Sequence, residues 1–214
     1  MKRVHAGLLL VLCAAVANAQ TPTPTPTFGV VAGLNFARLS GDSSSGTKQR
    51  IGFVGGATLN LPLSPNWAFA PELVYSQKGV KASDTDFEAT IKLSYIELPA
   101  LFRYDFGTAG GVRPFLLAGP AFALKSGCSV EVEGGGVSLS GGCDDANDTG
   151  EGSSFKSFDV GAMFGGGLSF DVGGRTMRLG VRYNLGLVEV ADNSGSAKNR
   201  VLSLVGSFEW PFHK

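Results

Sequence analysis

Eight charged residues carry most of the chemistry this chain could do: Glu72, Glu97, Arg103, Arg113, Asp159, Arg178, Arg182 and Glu209. They lie in stretches where apolar residues recur at every second position, and Glu72, Arg178, Arg182 and Glu209 occupy the less apolar face. Carboxylates and guanidiniums gathered inside a fold either neutralise one another or line a narrow ion path. A lone buried charge is costly, so mutual neutralisation is the expectation and the ion path the alternative. Of the three cysteines, Cys13 sits near the N-terminus, while Cys128 and Cys143 share one long polar segment. In an exported protein such a pair is expected to form a disulfide.

Other chemistries fit poorly. Asp144, Asp145, Asn147, Asp148 and Glu151 follow Cys143. Asp145, Asn147 and Gly150 match part of a calcium loop, but Lys156 stands where the closing glutamate belongs, so a solvated acidic loop is the expectation and no metal site is assigned. Gly134–Gly136 and Gly165–Gly167 lack the strand-to-helix context and the Lys-Ser/Thr of a phosphate cradle. Hydrolytic catalysis usually wants a histidine base, and the chain has only His5 and His213. No catalytic residue and no cofactor are expected, and the chain is not read as an enzyme.

The elements that must position these charges are strands. Arg175–Val188 places Met177, Leu179, Val181, Tyr183, Leu185 and Leu187 on one face, with Arg178 and Arg182 on the other. The same two-residue period runs through Phe28–Phe36, Ile51–Leu61, Trp67–Gln77, Val112–Lys125, Phe158–Phe170 and Asn199–Phe212. Ile91–Tyr104 changes phase near Tyr95: either a bulge shifts the register there, or its first half projects beyond a membrane. Eight strands of this length suit a bilayer crossed on a tilt. Connections alternate in length, short at Pro62–Asn66, Asp105–Gly111 and Asp171–Gly174 and long at Ser40–Gln49, Gly79–Glu88, Lys125–Ser154 and Glu189–Lys198. Short periplasmic turns and long outer loops are the habit of outer-membrane barrels.

The N-terminus fits that address. Lys2 and Arg3 precede an apolar run from Gly7 to Val16 and a small-x-small site at Ala17–Ala19, so residues 1–19 read as a signal peptide. A lipoprotein signal through Cys13 is a poor alternative, because Leu12 is large where a small residue is wanted. Residues 20–27 form a Thr-Pro spacer and 28–214 the barrel domain. Cleavage leaves 16 basic against 18 acidic residues, which gives no reason to expect a nucleic-acid partner.

A soluble lipocalin-like barrel also alternates, with an apolar lumen. The membrane version is preferred on two grounds. An arginine facing lipid near the midplane would cost ~2–4 kcal/mol. Aromatics also gather at strand ends: Phe28, Trp67, Phe69, Tyr104, Trp210 and Phe212 are the expected interfacial residues. The fold class expected is all-β, an eight-stranded antiparallel up-and-down transmembrane β-barrel in the outer membrane of a Gram-negative bacterium. Its expected partners are membrane lipids, with the chain monomeric. The long loops, carrying Ser43, Ser44, Ser45, Asp84 and Asp86, make recognition of an unknown extracellular ligand the runner-up to a structural envelope role.

Four segments, in order, resemble one family. Ala70-Pro71-Glu72-Leu73-Val74-Tyr75-Ser76-Gln77-Lys78-Gly79 is similar to a strand signature of the bacterial outer-membrane "porin family protein" group with its PorT-like barrel domain. Tyr95-Ile96-Glu97-Leu98-Pro99-Ala100-Leu101 resembles the next signature, and Phe115–Pro120 and Gly180–Gly186 continue it. The resemblance spans roughly Phe28 to Phe212 and implies an eight-stranded barrel of OmpA-like architecture, with no established reaction, ligand or pore. The last strand also resembles the aromatic-ending signal read by the barrel-insertion machinery, although His213 and Lys214 follow Phe212.

Overall fold

The structure is a computed structural model that describes residues 25–40, 47–84, 87–107, 111–135, 137–143, 156–188 and 198–212. Within them run nine strands: β1 (Thr27–Ser40), β2 (Thr47–Pro62), β3 (Trp67–Asp84), β4 (Phe87–Asp105), β5 (Val112–Gly134), β6 (Val137–Gly142), β7 (Phe158–Val172), β8 (Arg175–Gly186) and β9 (Lys198–Pro211). Eight close into a ring in the order β4-β3-β2-β1-β9-β8-β7-β5, with β4 paired to β5. Every pairing is antiparallel, and β1 meets β9 from Thr27 opposite Pro211 to Ser40 opposite Lys198. Closure satisfies the backbone polar groups of the wall, which lipid cannot do. β6 stands outside the ring and pairs with β5.

Alternation sorts the side chains. On β1, Phe28, Val30 and Leu34 face outward and stay exposed, while Val31, Asn35 and Ala37 are buried inside. The outward row from Phe28 to Phe36 covers about 27 Å along the strand at ~3.4 Å per residue, or about 20 Å along the normal after a ~40° tilt. That approaches the ~25 Å apolar band of outer-membrane barrels. Inside, Leu101, Phe115, Leu117, Ala121 and Met163 pack on one wall and Val31, Val54, Val74 and Val205 on the other.

Three findings refine the strand boundaries. First, β4 keeps one phase from Leu93 to Arg103: Leu93, Tyr95, Glu97, Leu101 and Arg103 are all buried inward. The irregularity near Tyr95 lies on its partner, since Ser94 is opposite Gly127 but Tyr95 is opposite Lys125, which leaves Ser126 as the extra residue of β5. The apolar pattern changes phase because the inward-facing Leu93 and Tyr95 are apolar and pack on Ala123, whereas Glu97 and Arg103 further along the same face are charged. Second, Gly79–Asp84, Phe87–Glu88 and the first part of Lys125–Ser154 are strand rather than loop. β3 runs to Asp84, β4 begins at Phe87 and β5 continues to Gly134 before turning into β6. Ladder hydrogen bonds outcompete the polar, glycine-rich composition there. Third, β1 starts at Thr27, so the last residue of the expected spacer belongs to the barrel.

The opposite end is tight. Gly173 and Gly174 join β7 to β8 with φ of 59° and 75°. A two-residue turn with both φ positive is of the primed type that matches strand twist, and glycine adopts it without strain.

Candidate functional site

The polar residues of the lumen form three tiers. At the end with short turns, Glu209 is ion-paired with Arg178 and accepts a 2.6 Å hydrogen bond from Thr27 Oγ1. Arg178 also donates to Ser169 Oγ at 3.1 Å. Beside this pair, Arg103 donates to Asp105 at 2.9 Å and to Asn60 Oδ1 at 2.8 Å. In the middle, Arg182 grips Glu72 with two parallel bonds of 2.6 and 2.7 Å. Such bidentate pairs are among the stronger charge-assisted contacts. Gly165 makes room for that arginine: a Cβ there would stand 2.3 Å from the Val181 carbonyl oxygen and 3.2 Å from Arg182 Cγ.

In the third, outer tier, Lys78 Nζ lies 2.6 Å from Glu97 and 3.5 Å from Asp159, with the ammonium 4.8 Å from the Tyr95 ring centre. Asn199 donates to Asp159 at 2.8 Å. Asn35 joins β3 to β9 by donating to Ser76 Oγ at 2.9 Å and accepting from Ser203 Oγ at 2.7 Å. Lys78, Glu97, Asp159 and Tyr95 are all nearly inaccessible to solvent.

Seven of the eight expected interior charges lie in these tiers. Arg113 does not: it sits at the mouth, partly exposed, with its guanidinium 3.7 Å from Asp171. The phase of its strand is right, but its position at the start of β5 puts it beyond the filled lumen. Lys78 was missed, although it follows Glu72 by six residues on the same strand and so shares its face. The inward amides Asn35, Asn60 and Asn199 carry no charge and gave no signal beyond that phase.

Voids between the tiers are small. Two of about 20 Å³ each flank the Glu72–Arg182 pair. Each has room for about one water molecule. At the short-turn end the interior opens into a cavity of about 200 Å³.

Outside the wall, the aromatics of the short-turn end pack against one another. Phe28 meets Trp210 at 5.9 Å and Phe212 at 5.1 Å, Trp67 meets Tyr104 at 5.0 Å, and Phe69 meets Phe102 at 5.2 Å. At the other end the extended parts of β3, β4 and β5 join β6 in a sheet that projects past the barrel, with the start of β2 paired to β3 at Val80–Ala82. The disulfide Cys128–Cys143, with a Cα separation of 5.4 Å, ties the end of β6 to β5. Lys81 bonds Glu88 at 2.6 Å and Lys92 pairs with Glu131 on this sheet. The Lys81 ammonium, by its hydrogen bond and its charge, holds the Glu88 carboxyl below its ordinary range. Val137 and Leu139 of β6 are more than half exposed. Among the described residues no cluster of three metal-ligating side chains occurs. The acidic segment Asp144–Glu151, Ser43–Ser45, Asp86, His5, His213, the signal segment and most of the Thr-Pro spacer lie outside the described residues.

A closed ring of eight antiparallel strands, greasy outside and ionic within, defines an outer-membrane β-barrel protein. Residues 18–192 match the outer membrane protein beta-barrel domain family, and the chain belongs to that family. Its place is the Gram-negative outer membrane. No curated protein matches the chain. Among solved structures it is similar to Neisserial surface protein A, at 18% identity and a TM-score of 0.49 over 86% of this chain and 97% of that one. It is also similar to OprG of Pseudomonas aeruginosa, at 12% identity and a TM-score of 0.45 over 87% and 97%. Ail, the attachment invasion locus protein of Yersinia pestis, matches at 13% identity and a TM-score of 0.43 over 87% and 100%.

Proposed function

We propose that this protein is a non-conducting barrel with a structural role in the outer envelope, inserted as a monomer after removal of residues 1–19. The observation that carries the reading is the tiered lumen, where ion pairs cross the bore at three levels and the voids between them hold about one water each. An ion crossing such a bore would have to break buried pairs, each costing several kcal/mol to leave unpaired. Planar-bilayer recording of the purified protein tests this: no stable unitary conductance is expected, and reproducible channels would refute it.

A second reading has its own support in the projecting sheet. β6 is a short outer strand, Val-Ser-Leu-Ser-Gly-Gly, with no charge and no proline to discourage pairing. On this reading the sheet recognises an extracellular partner while the barrel anchors it. Deleting 135–152 while keeping the heat-modifiable barrel distinguishes the two, because only the recognition role predicts loss of cell or matrix binding. No reaction is assigned to either end of the barrel.

A further inference from the structure

We propose that the periplasmic mouth of the barrel is a binding site for a small oxyanion, a phosphate or carboxylate group. Arg103, Arg113 and Arg178 converge on the cavity of about 200 Å³ at the short-turn end, whose wall also presents Asn60, Thr27 and Thr176. At ~30 Å³ per water, that space holds about seven waters, enough for a phosphate with part of its hydration. Two of the arginines are already aimed. Arg103 is fixed by Asn60 and Asp105, and Arg178 by Ser169 and Glu209. A guanidinium has five donors in a rigid fork, so a carboxylate on one edge leaves other donors for a ligand.

Arg113 supplies the charge whose ion pair is the loosest at this mouth. Among the described residues it pairs with Asp171, whose carboxylate is 3.7 Å away and 54% exposed. That separation exceeds hydrogen-bond length, and the exposed partner is screened by solvent. Asp105 also lines the cavity, but Arg103 holds it. The pocket ends blindly, because the next void inward is about 20 Å³. An oxyanion entering from the periplasm would be held there. This inference does not depend on whether the barrel conducts.

The test uses the full mature chain in phosphate-free maltoside micelles. Inorganic phosphate is titrated while the arginine Nε–H resonances are followed by NMR, with chloride at matched ionic strength as control. Saturable shifts at Arg103, Arg113 and Arg178 with phosphate, and none with chloride, are expected. Arg113→Gln should weaken phosphate about tenfold or more, the scale of one lost charge-assisted contact. Asp171→Asn should tighten it severalfold by removing the competing carboxylate, and both variants should keep heat-modifiable migration. In phosphatidylglycerol nanodiscs, resonances already at their bound positions identify a lipid headgroup as the source. Resonances that move only on adding phosphate identify the free ion. Shifts that fail to saturate, that chloride reproduces, or that are equal in wild type and both variants overturn the proposal.

Discussion

Two lysine–glutamate pairs in this molecule have the same length and opposite consequences. Lys78 and Glu97 meet at 2.6 Å with side chains 2% and 3% exposed, inside the barrel. Lys81 and Glu88 also meet at 2.6 Å, but at 40% and 41% exposure on the projecting sheet. Only two residues lie between the two lysines along β3, yet that step carries the strand from the lumen to the water outside. Exposed pairs contribute about 0–1 kcal/mol because solvent solvates either charge alone. Buried pairs contribute little net stability over an apolar substitute, but breaking one strands its partner. What a pair is worth therefore follows from its surroundings rather than from its geometry.

The largest effect should come from Lys78→Met. It leaves both Glu97 and Asp159 without their shared cation. A loss of about 3–5 kcal/mol is expected, read as a lower urea midpoint for the barrel refolded in lipid vesicles. The triple variant Lys78→Met/Glu97→Gln/Asp159→Asn should recover most of it, since neutral groups of similar shape need no counter-charge. An unchanged midpoint for Lys78→Met would mean that water reaches this tier freely and would remove the contrast with the outer pair.

Next in size is Gly165→Ala, which tests how tightly the middle tier is built. The added methyl would collide with the Val181 carbonyl and crowd the Arg182 stem. A cost of about 1–3 kcal/mol is expected for forcing that extra volume, measured by the same unfolding assay. Cys143→Ser should act on the outer sheet alone. The disulfide closes a 15-residue separation, and the entropy model assigns about 3 kcal/mol to a loop of that length. β6 should lose protection at Ser138–Gly142 in hydrogen exchange, while the barrel keeps its heat-modifiable migration. A destabilised barrel would mean that sheet and barrel fold as one unit.

The same contrast governs what could be read from the sequence. Where strands cross the bilayer, lipid outside and packed residues inside enforce alternation, and the spans of β7, β8 and β9 follow directly from it. The seven charges that fall in the lumen tiers were legible for the same reason. Outside the bilayer that constraint lapses. The strand extensions at Gly79–Asp84 and Lys125–Gly134 are polar and glycine-rich, so composition argued for loops while cross-strand hydrogen bonds made sheet. The phase change in β4 has a related cause: Leu93 and Tyr95 are apolar residues facing inward, on the same face as the charged Glu97 and Arg103. Lys78 stood at the boundary between the two regimes, in phase with Glu72 but next to Gly79, whose φ of 131° marks the local distortion of β3.

The smallest effect should come from the exposed pair, and its pH dependence has a definite sign. Glu88 has its carboxyl pKa lowered in the folded protein by the Lys81 hydrogen bond first and the Lys81 charge second. A carboxyl with a depressed folded pKa favours the folded sheet above its unfolded value, and that contribution fades as pH falls through the folded value. The window therefore lies at and below the ordinary carboxylate value of 4.5. NMR titration of the Glu88 carboxyl carbon should give a midpoint below that value, returning to it in Lys81→Met. Glu88→Gln should leave the unfolding midpoint at neutral pH unmoved, because solvent already serves the lysine left behind. A loss for Glu88→Gln comparable to that for Lys78→Met would show that the projecting sheet is desolvated in the membrane-bound protein, and that its charges belong with the lumen rather than with the surface.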